Sequence, residues 1–214
     1  ADLLHQRFDA VGDAGAFDLA AALRPDLPIH ISTQMGVANA GSAAFWRRLG
    51  ARRVILAREA PLSETAAIVK TSGIEVEVFV HGALCVAYSG RCLLSAHLAD
   101  RSGNKGACAH ACRWEWELSE RKSPGMSLPI IEDGGRTFLM GSADLRLIEH
   151  AGELLASGAH AWKIEGRMKG EHYVAAAARS YRLALDAVMS GAAAPTDELL
   201  ADLDMIQHRM FSRG

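Results

Sequence analysis

The 214-residue sequence lacks the features of several specialised classes of protein. No uninterrupted apolar run reaches the roughly 18 residues of a membrane-spanning helix, and the first residues, ADLLHQRFDA, contain neither the basic nor the apolar stretch of a signal peptide. The formal net charge is only −2, so the chain as a whole has no general attraction for a polyanion. We therefore expect a globular cytoplasmic protein without a membrane segment.

The motifs of common hydrolases are absent as well. The sequence contains no H-E-x-x-H zinc motif and no G-x-S-x-G nucleophile turn. Its four cysteines are too few for a disulfide scaffold in a chain of this length. In a reducing compartment, clustered cysteines indicate a metal site or redox chemistry instead.

Short apolar segments alternate with amphipathic segments along most of the chain. We predict strands at Phe8–Val11, Pro28–Ser32, Arg53–Ala57, Glu75–His81 and Ala161–Ile164. Strands that alternate with helices indicate an α/β fold with a parallel sheet, either an open doubly wound sheet or a (β/α) TIM-type barrel. A complete barrel has eight strands, so the smaller number found here predicts an incomplete barrel.

Four helices are predicted around these strands. They are Ala40–Leu49, a helix that begins at Pro61, a helix capped by Ser142, and a last long helix. Each has an apolar face that we expect to be buried. The predicted buried positions are Ala44, Phe45 and Leu49; Leu62, Ala66 and Val69; Leu145, Ile148 and Leu155; and Val174, Ala178, Tyr181, Leu185 and Val188.

The alternation is interrupted between Cys85 and Pro124, which includes all four cysteines and several turn-forming sequences. Long irregular segments inside a compact domain are usually functional. We predict barrel units at 1–84, an inserted cysteine-rich lobe at 85–128, further barrel units at 129–191, and a tail or helix at 192–214. A hairpin around Asp133 is predicted directly after the lobe.

The cysteines have a distinctive spacing. Six residues separate Cys85 from Cys92, fifteen separate Cys92 from Cys108, and three separate Cys108 from Cys112. Thiolates are the soft ligands that iron–sulfur clusters and zinc prefer. The gap of six is wider than the usual zinc knuckle, which favours a cluster, but zinc or buried free thiols stay open as alternatives.

Polar residues follow several predicted strands. These residues are Gln34, Arg58, Glu59, His81, Lys163, Glu165 and Arg167. In a barrel the carboxyl ends of the strands meet at the active site, although ordinary ion pairs would produce the same pattern. Glu77 is predicted to face the same side as Phe79 and His81, where it needs a partner such as Arg58 or Lys163.

A nucleic-acid signal is confined to the predicted lobe. Arg101, Lys105 and Arg113 could contact phosphates, and Trp114 could stack on a base. Solvated arginines beside a loop tryptophan explain the same pattern without RNA.

Several segments together resemble the collagenase-like peptidase family U32. They are HISTQ, RVILARE, EVEVFVHGALCVAYSGRCLLS, ACAHACRWEW and WKIEGRMK, in consistent order between about Phe8 and Ala187. The resemblance implies that Cys85, Cys92, Cys108 and Cys112 ligate a 4Fe-4S cluster. It also implies a barrel whose N-terminal strands are missing here, so that a partner subunit or the absent barrel half completes it.

The same resemblance implies a function. Members include RNA hydroxylases, which suggests hydroxylation of a pyrimidine in tRNA or rRNA with prephenate as the hydroxyl donor. In that picture the donor's carboxylates are held by Arg58, Lys163 and Arg167, and the substrate site also includes Gln34 and Glu59. Protons are moved by His81 or Glu165. The alternatives are a collagenase-like peptidase and a structural zinc-binding accessory subunit.

Overall fold

The computed structural model describes residues 10–114, 117–119, 127–129, 143–192 and 197–212. The predicted hairpin around Asp133, the predicted cap Ser142 and the first residues of the predicted strand at Phe8 lie outside these ranges. None of the helices within them is long and apolar enough to cross a membrane.

The described residues form a mixed α/β fold with a mainly parallel sheet, as the alternation predicts. The strands, in chain order, are β1 (Ala10–Val11), β2 (His30–Ile31), β3 (Arg53–Ile55), β4 (Glu75–Ala83), β5 (Glu117–Ser119), β6 (Ser127–Pro129), β7 (Asp144–Arg146), β8 (Ala161–Glu165) and β9 (Phe211–Ser212). Strands β1, β2, β3, β4 and β8 are parallel neighbours in that order. Within the described ranges β1 and β8 have no outer neighbour, so the barrel predicted from sequence is not seen to close.

Strand β4 is the centre of the sheet because it is the longest strand and is paired on both sides. Its first three residues pair with β3, and its last three pair in antiparallel fashion with β7, which in turn pairs with β9. Its other edge pairs with β8. Strands β5 and β6 form a separate antiparallel pair.

Most helices follow a strand, and several of them pack against the sheet. They are α1 (Ala14–Leu23), α2 (Ala40–Arg48), α3 (Leu62–Ser72), α4 (Leu94–Ala99), α5 (Ala151–Ala156), α6 (Glu171–Met189) and α7 (Asp197–Asp204). The side chains of Asp13 and Asn39 cap the N-termini of α1 and α2, respectively, by accepting hydrogen bonds from backbone N–H groups. Short polar side chains commonly have this role at the N-cap position. Helix α1 was not predicted individually, although Asp13 before an alanine-rich stretch is a recognisable start signal.

Three predicted helix faces are wrong. In α3 the buried side chains are Thr65, Ile68 and Ser72, whereas the predicted Leu62 and Val69 are only partly buried and Ala66 is exposed. In α2 the buried side chains are Ala43 and Trp46, while Phe45 and Leu49 are exposed. Trp46 packs edge-on against Phe17, with ring centroids 5.4 Å apart, and the burial of this largest ring decides the orientation of the helix. In α6 the buried face is Tyr173, Ala177, Ser180, Tyr181 and Ala184, which shares only Tyr181 with the predicted stripe.

The helix predicted after Ser142 is also wrong in its first part. Leu145 lies in β7, paired with Gly82 of β4, and Ile148 lies in a short 3-10 turn. The α-helix begins only at Ala151, and its buried side chains are Ala151 and Leu154, whereas the predicted Leu155 is exposed. The hydrogen bonds that this segment forms with the edge of β4 therefore outweigh its helical pattern of apolar residues. Such distant pairing cannot be recognised from local spacing alone.

A register shift in β4 changes the direction of His81. The pairing of β4 with β8 shifts between Phe79 and His81, so that Phe79 lies opposite Lys163 while His81 lies opposite Ile164. The His81 ring consequently contacts Tyr173 and Tyr181 of α6, on the opposite face of the sheet from Phe79. The prediction that Glu77, Phe79 and His81 share one face is wrong, because a bulge reverses the alternation.

Candidate functional site

A cavity opens where the parallel strands end at their carboxyl termini. Its wall is formed by the loops after β2, β3, β4 and β8 and by residues 84–114, which we call the cysteine segment. The side chains of chemical interest that line it are Gln34, Arg58, Cys85, Cys92, Cys108, His110, Cys112, Arg113, Glu165 and Arg167. We call this space the cysteine cavity.

All four cysteines line this one cavity as free thiols, although they span 28 positions of sequence. The Cys108 sulfur accepts the backbone N–H of His110 at 3.3 Å, and the backbone N–H of Val86 donates to Cys112. His110 has a positive φ of 55°, unusual for a residue with a side chain, in the turn between Cys108 and Cys112. Backbone donors directed at sulfur stabilise thiolates.

The electrostatics of the cavity disfavour free thiolates. Burial raises the pKa of the Cys112 thiol, as do Cys108 and Cys92 nearby, while the Arg113 guanidinium works against them. Although the Cys85 side chain is exposed towards the cavity, desolvation by the protein around it raises its pKa as well, and Cys112 and Cys108 contribute. A bound cation would relieve this mutual repulsion, and binding would release protons.

The arrangement differs from a compact single-metal site. Among the described residues, no group of three or more histidine, cysteine, aspartate or glutamate side chains is arranged to hold one metal ion. Structural zinc needs four ligands in a tight tetrahedron. A four-iron cluster takes one thiolate at each of several irons, so its ligands stand further apart.

The turn between Cys85 and Cys92 is attached to the strand ends by Ser89. The Ser89 hydroxyl donates to Glu59 at 2.9 Å and accepts the backbone N–H of Arg58 at 3.2 Å, and its own N–H donates to Glu59 at 3.1 Å. Thr33 donates to the same hydroxyl at 3.3 Å. Glu59, predicted to bind substrate, is therefore occupied in holding this turn.

Gly90 allows the same turn to lie against the loop that follows β2. Its φ is +75°, and a Cβ added there would lie 1.8 Å from the carbonyl oxygen of Gln34. No side chain fits at that distance, so glycine is required both for the backbone conformation and for the close approach. The Gln34 side chain also contacts Gly103 of the cysteine segment at 3.5 Å.

A second set of contacts anchors the segment near Cys112. Asp144 of β7 is fully buried and accepts the Arg113 guanidinium at 2.5 Å. Its other oxygen accepts the backbone N–H of Arg209 at 3.2 Å and lies 3.9 Å from the Lys169 ammonium. The Arg209 guanidinium donates to the Arg113 carbonyl at 2.7 Å. Asp144 thus joins the cysteine segment to β7 and to the chain that leads into β9.

The predicted cations and carboxylates divide into two groups. Arg58 is bonded to Glu165 at 3.1 Å and stacks over the Phe79 ring, and the Glu165 carboxylate also accepts the Arg167 backbone N–H at 3.0 Å. The Arg167 side chain is exposed at the cavity and takes part in no ion pair among the described residues. Arg58, Glu165 and Arg167 therefore meet at the cysteine cavity, as predicted for strand-end residues.

Lys163 and His81 lie elsewhere. Lys163 bonds to Glu77 at 2.7 Å, which confirms one of the two partners predicted for Glu77, while Arg53 supplies another contact at 3.3 Å. His81 is 1% exposed and its ring is surrounded by aromatic side chains, with neither ring nitrogen hydrogen-bonded within the described structure. Burial lowers the pKa of His81 to about 4. Neither residue lines the cysteine cavity.

Sequence reasoning missed Ser89, Asn104 and Asp144. Asn104 accepts the backbone N–H of Cys92 at 3.0 Å, so it fixes a cysteine in the same way as Ser89 fixes the turn. These are short polar residues in a segment rich in them, and no local pattern separates them from turn residues. Only the fold shows that they connect the cysteines to the sheet.

Comparison with known proteins finds one family model that covers nearly the whole chain. The model described as "Peptidase family U32" matches residues 6–214. No solved structure is significantly similar.

Several curated relatives are similar to this chain. A "tRNA hydroxylation protein P" of Escherichia coli is 36% identical over 244 residues, which cover 95% of this chain and 54% of that protein. A "Collagenase" of Porphyromonas gingivalis is 32% identical, covering 93% of this chain and 50% of that protein. The "23S rRNA 5-hydroxycytidine C2501 synthase" of Escherichia coli is 34% identical, covering 88% and 28%. The chain spans about half the length of the first two relatives.

Proposed function

The chain belongs to peptidase family U32, and from that premise we propose that it is the cluster-binding part of an RNA hydroxylase that acts on a pyrimidine of tRNA or rRNA. The observation that carries this proposal is the convergence of four cysteines with Arg58, Glu165 and Arg167 on one cavity. Relatives named for tRNA and rRNA hydroxylation support the reaction class.

We propose Cys85, Cys92, Cys108 and Cys112 as the ligands of a 4Fe-4S cluster. The donor set fits such a group, since four thiols line one cavity and two of them already accept backbone N–H bonds. When bound, a cluster supplies electron transfer at a potential set by hydrogen bonds and solvent exposure. Zinc fits less well, because the described side chains form no compact single-metal site.

The other residues of the cavity suit a small acidic hydroxyl donor, for which we propose prephenate. The Arg167 guanidinium is free of ion pairs within the described structure and can bind a carboxylate with two parallel hydrogen bonds. Arg58 holds Glu165 in place, and Glu165, at the same wall, is the group we assign to proton transfer. Gln34 positions the cysteine segment, and we give Lys163 and His81 no part in the cavity's chemistry.

For the fold as a whole we propose an incomplete (β/α) barrel of the TIM type. Five adjacent parallel strands with helices between them, and a cavity at their carboxyl ends, are features of that architecture. Further strands, from a longer chain or from a partner subunit, would pair with the outer edges of β1 and β8.

The test of this function is an anaerobic assay of the cluster-reconstituted protein with bulk tRNA and rRNA and with prephenate. We expect mass spectrometry of the digested RNA to show a pyrimidine that has gained one oxygen atom, and that omission of prephenate abolishes it. Cleavage of gelatin by the same preparation, lost in the Cys92→Ser variant and without any change in the RNA, would instead support the collagenase-like alternative, for which one relative is named.

Replacing Arg167 tests the donor site within the same assay. We expect Arg167→Gln to raise the KM for prephenate at least about tenfold, because a charge-assisted hydrogen bond contributes about 1.5 kcal/mol or more. Iron content should not change, since Arg167 contacts no cysteine among the described bonds. Arg179→Gln, at an exposed ion pair with Asp202, is the matched control. An unchanged KM in Arg167→Gln would remove the residue from the donor site.

A further inference from the structure

Tyr88 is the most exposed aromatic side chain among the described residues, and it lies at the cysteine cavity. It is 76% exposed, against 46% for Phe45 and 45% for Trp114. It belongs to the wall of the cavity together with Val86, which is also exposed. A large ring left in water at the entrance of a site is a place where a flat ligand can stack.

The backbone that carries Tyr88 is held firmly. Directly after it, Ser89 is tied to Glu59, Arg58 and Thr33, and Gly90 lies in close contact with the Gln34 carbonyl. The Tyr88 carbonyl accepts the backbone N–H of Arg91 at 3.0 Å, which closes the turn. A ring on a fixed turn has only its two side-chain torsions to lose on binding, so stacking costs little conformational entropy.

The cysteine segment, which carries this ring, has a net charge opposite in sign to that of the whole chain. The cysteine segment contains Arg91, Arg101, Lys105 and Arg113 against a single acidic residue, Asp100, although the whole chain has a net charge of −2. Arg113 is committed to Asp144, and Arg101 donates to the carbonyls of Ala107 and Cys108. Arg91 and Lys105 are exposed and take part in no ion pair among the described residues.

We propose that Tyr88 is the stacking platform for the pyrimidine base that enters the cysteine cavity, with Arg91 and Lys105 near the flanking phosphates. Single-stranded RNA is recognised in this manner, by bases stacked on aromatic rings beside a cationic surface. The inference rests on the RNA substrate of the proposed function and adds the residue that receives the base. It replaces Trp114, which does not line the cavity, as the stacking residue.

The experiment measures binding rather than turnover. Fluorescence anisotropy compares the reconstituted wild-type protein, Tyr88→Ala and Tyr88→Phe, using a short labelled oligouridine and the same sugar–phosphate backbone without bases. One base–aromatic stack contributes about 1–3 kcal/mol, so Tyr88→Ala should weaken oligouridine binding about 5- to 150-fold. Tyr88→Phe should bind oligouridine as the wild type does. The base-free backbone should bind the wild type and Tyr88→Ala with equal affinity.

Two controls make the outcome specific. Phe45→Ala removes another exposed aromatic ring, one that does not line the cavity, and it should leave binding unchanged. Iron content and melting temperature of each variant show that the cavity and the fold are intact. Equal oligouridine affinity in wild type and Tyr88→Ala, or a loss found in Trp114→Ala instead, would overturn the stacking role while leaving RNA hydroxylation standing. Failure of the wild type to bind any RNA would overturn the RNA substrate itself, and the stacking role with it.

Discussion

Replacing Asp144 with alanine is expected to lower the free energy of unfolding by about 3–5 kcal/mol. Asp144 is fully buried, and its carboxylate binds the Arg113 guanidinium at 2.5 Å and the Arg209 backbone N–H at 3.2 Å. Removing the carboxylate leaves a largely buried guanidinium without its counter-charge, and the desolvation cost of that charge is no longer offset. Urea unfolding of the metal-free protein measures the change.

The same substitution should also affect the cysteines. Arg113 follows Cys112 directly in the chain, so a displaced Arg113 moves a proposed ligand, and we expect Asp144→Ala to lose its cluster to air faster than the wild type. Asp204→Ala is the matched control. The Asp204 side chain is mostly exposed, and its partner Arg146 keeps a second carboxylate, Glu149. Loss of such a pair should cost at most about 1 kcal/mol. Equal destabilisation by the two variants would show that Asp144 is not the anchor described above.

Acidification between about pH 6.5 and pH 4 is expected to destabilise the protein through His81. In the unfolded chain a histidine has a pKa near 6.5, whereas burial lowers the pKa of His81 in the folded protein to about 4. As the pH falls through this window the unfolded state binds a proton that the folded state does not. The stability that depends on a neutral His81 is therefore complete above about pH 6.5 and is lost progressively towards pH 4.

The size of this effect follows from the shift of the pKa. At 1.36 kcal/mol for each pKa unit, His81 should remove about 3 kcal/mol of stability across the window. The Asp144 carboxylate opposes the shift, while Arg146, His208 and Lys169 reinforce it.

Urea unfolding at several pH values, compared between wild type and His81→Leu, isolates the contribution. His172→Gln, at an exposed position of α6, should keep the wild-type pH dependence. A His81→Leu variant with that same dependence would contradict the assignment.

The sequence could predict those features of the site that depend on spacing along the chain. Strand ends in a parallel sheet lie together whatever the details of packing, and for that reason Gln34, Arg58, Glu165 and Arg167 were placed correctly at one cavity. The cysteine spacing likewise indicated a shared site, and the four thiols do line the same cavity.

Features that depend on one irregular residue or on distant contacts could not be predicted. A single shift of register in β4 reversed the direction of the His81 side chain. Side chains alternate between the two faces of a strand only while its pairing with the neighbouring strand is regular. Leu145 fits a helical pattern but pairs with Gly82, because the free edge of β4 supplies hydrogen bonds that no local rule includes. The role of Asp144 depends on Arg113 and Arg209, which lie 31 and 65 positions away in the chain.

The central claim is that four cysteines in the described cavity hold an iron–sulfur cluster. It is tested most directly by anaerobic reconstitution with iron and sulfide, followed by analysis of iron, sulfide and zinc and a visible absorption spectrum. We expect about four irons and four sulfides in each wild-type chain. The chromophore should be lost in each of the variants Cys85→Ser, Cys92→Ser, Cys108→Ser and Cys112→Ser. It should be fully retained in Ser190→Ala, which changes an exposed serine at the end of α6. Colourless protein that takes up one zinc per chain, or iron binding that survives the cysteine substitutions, would contradict the claim.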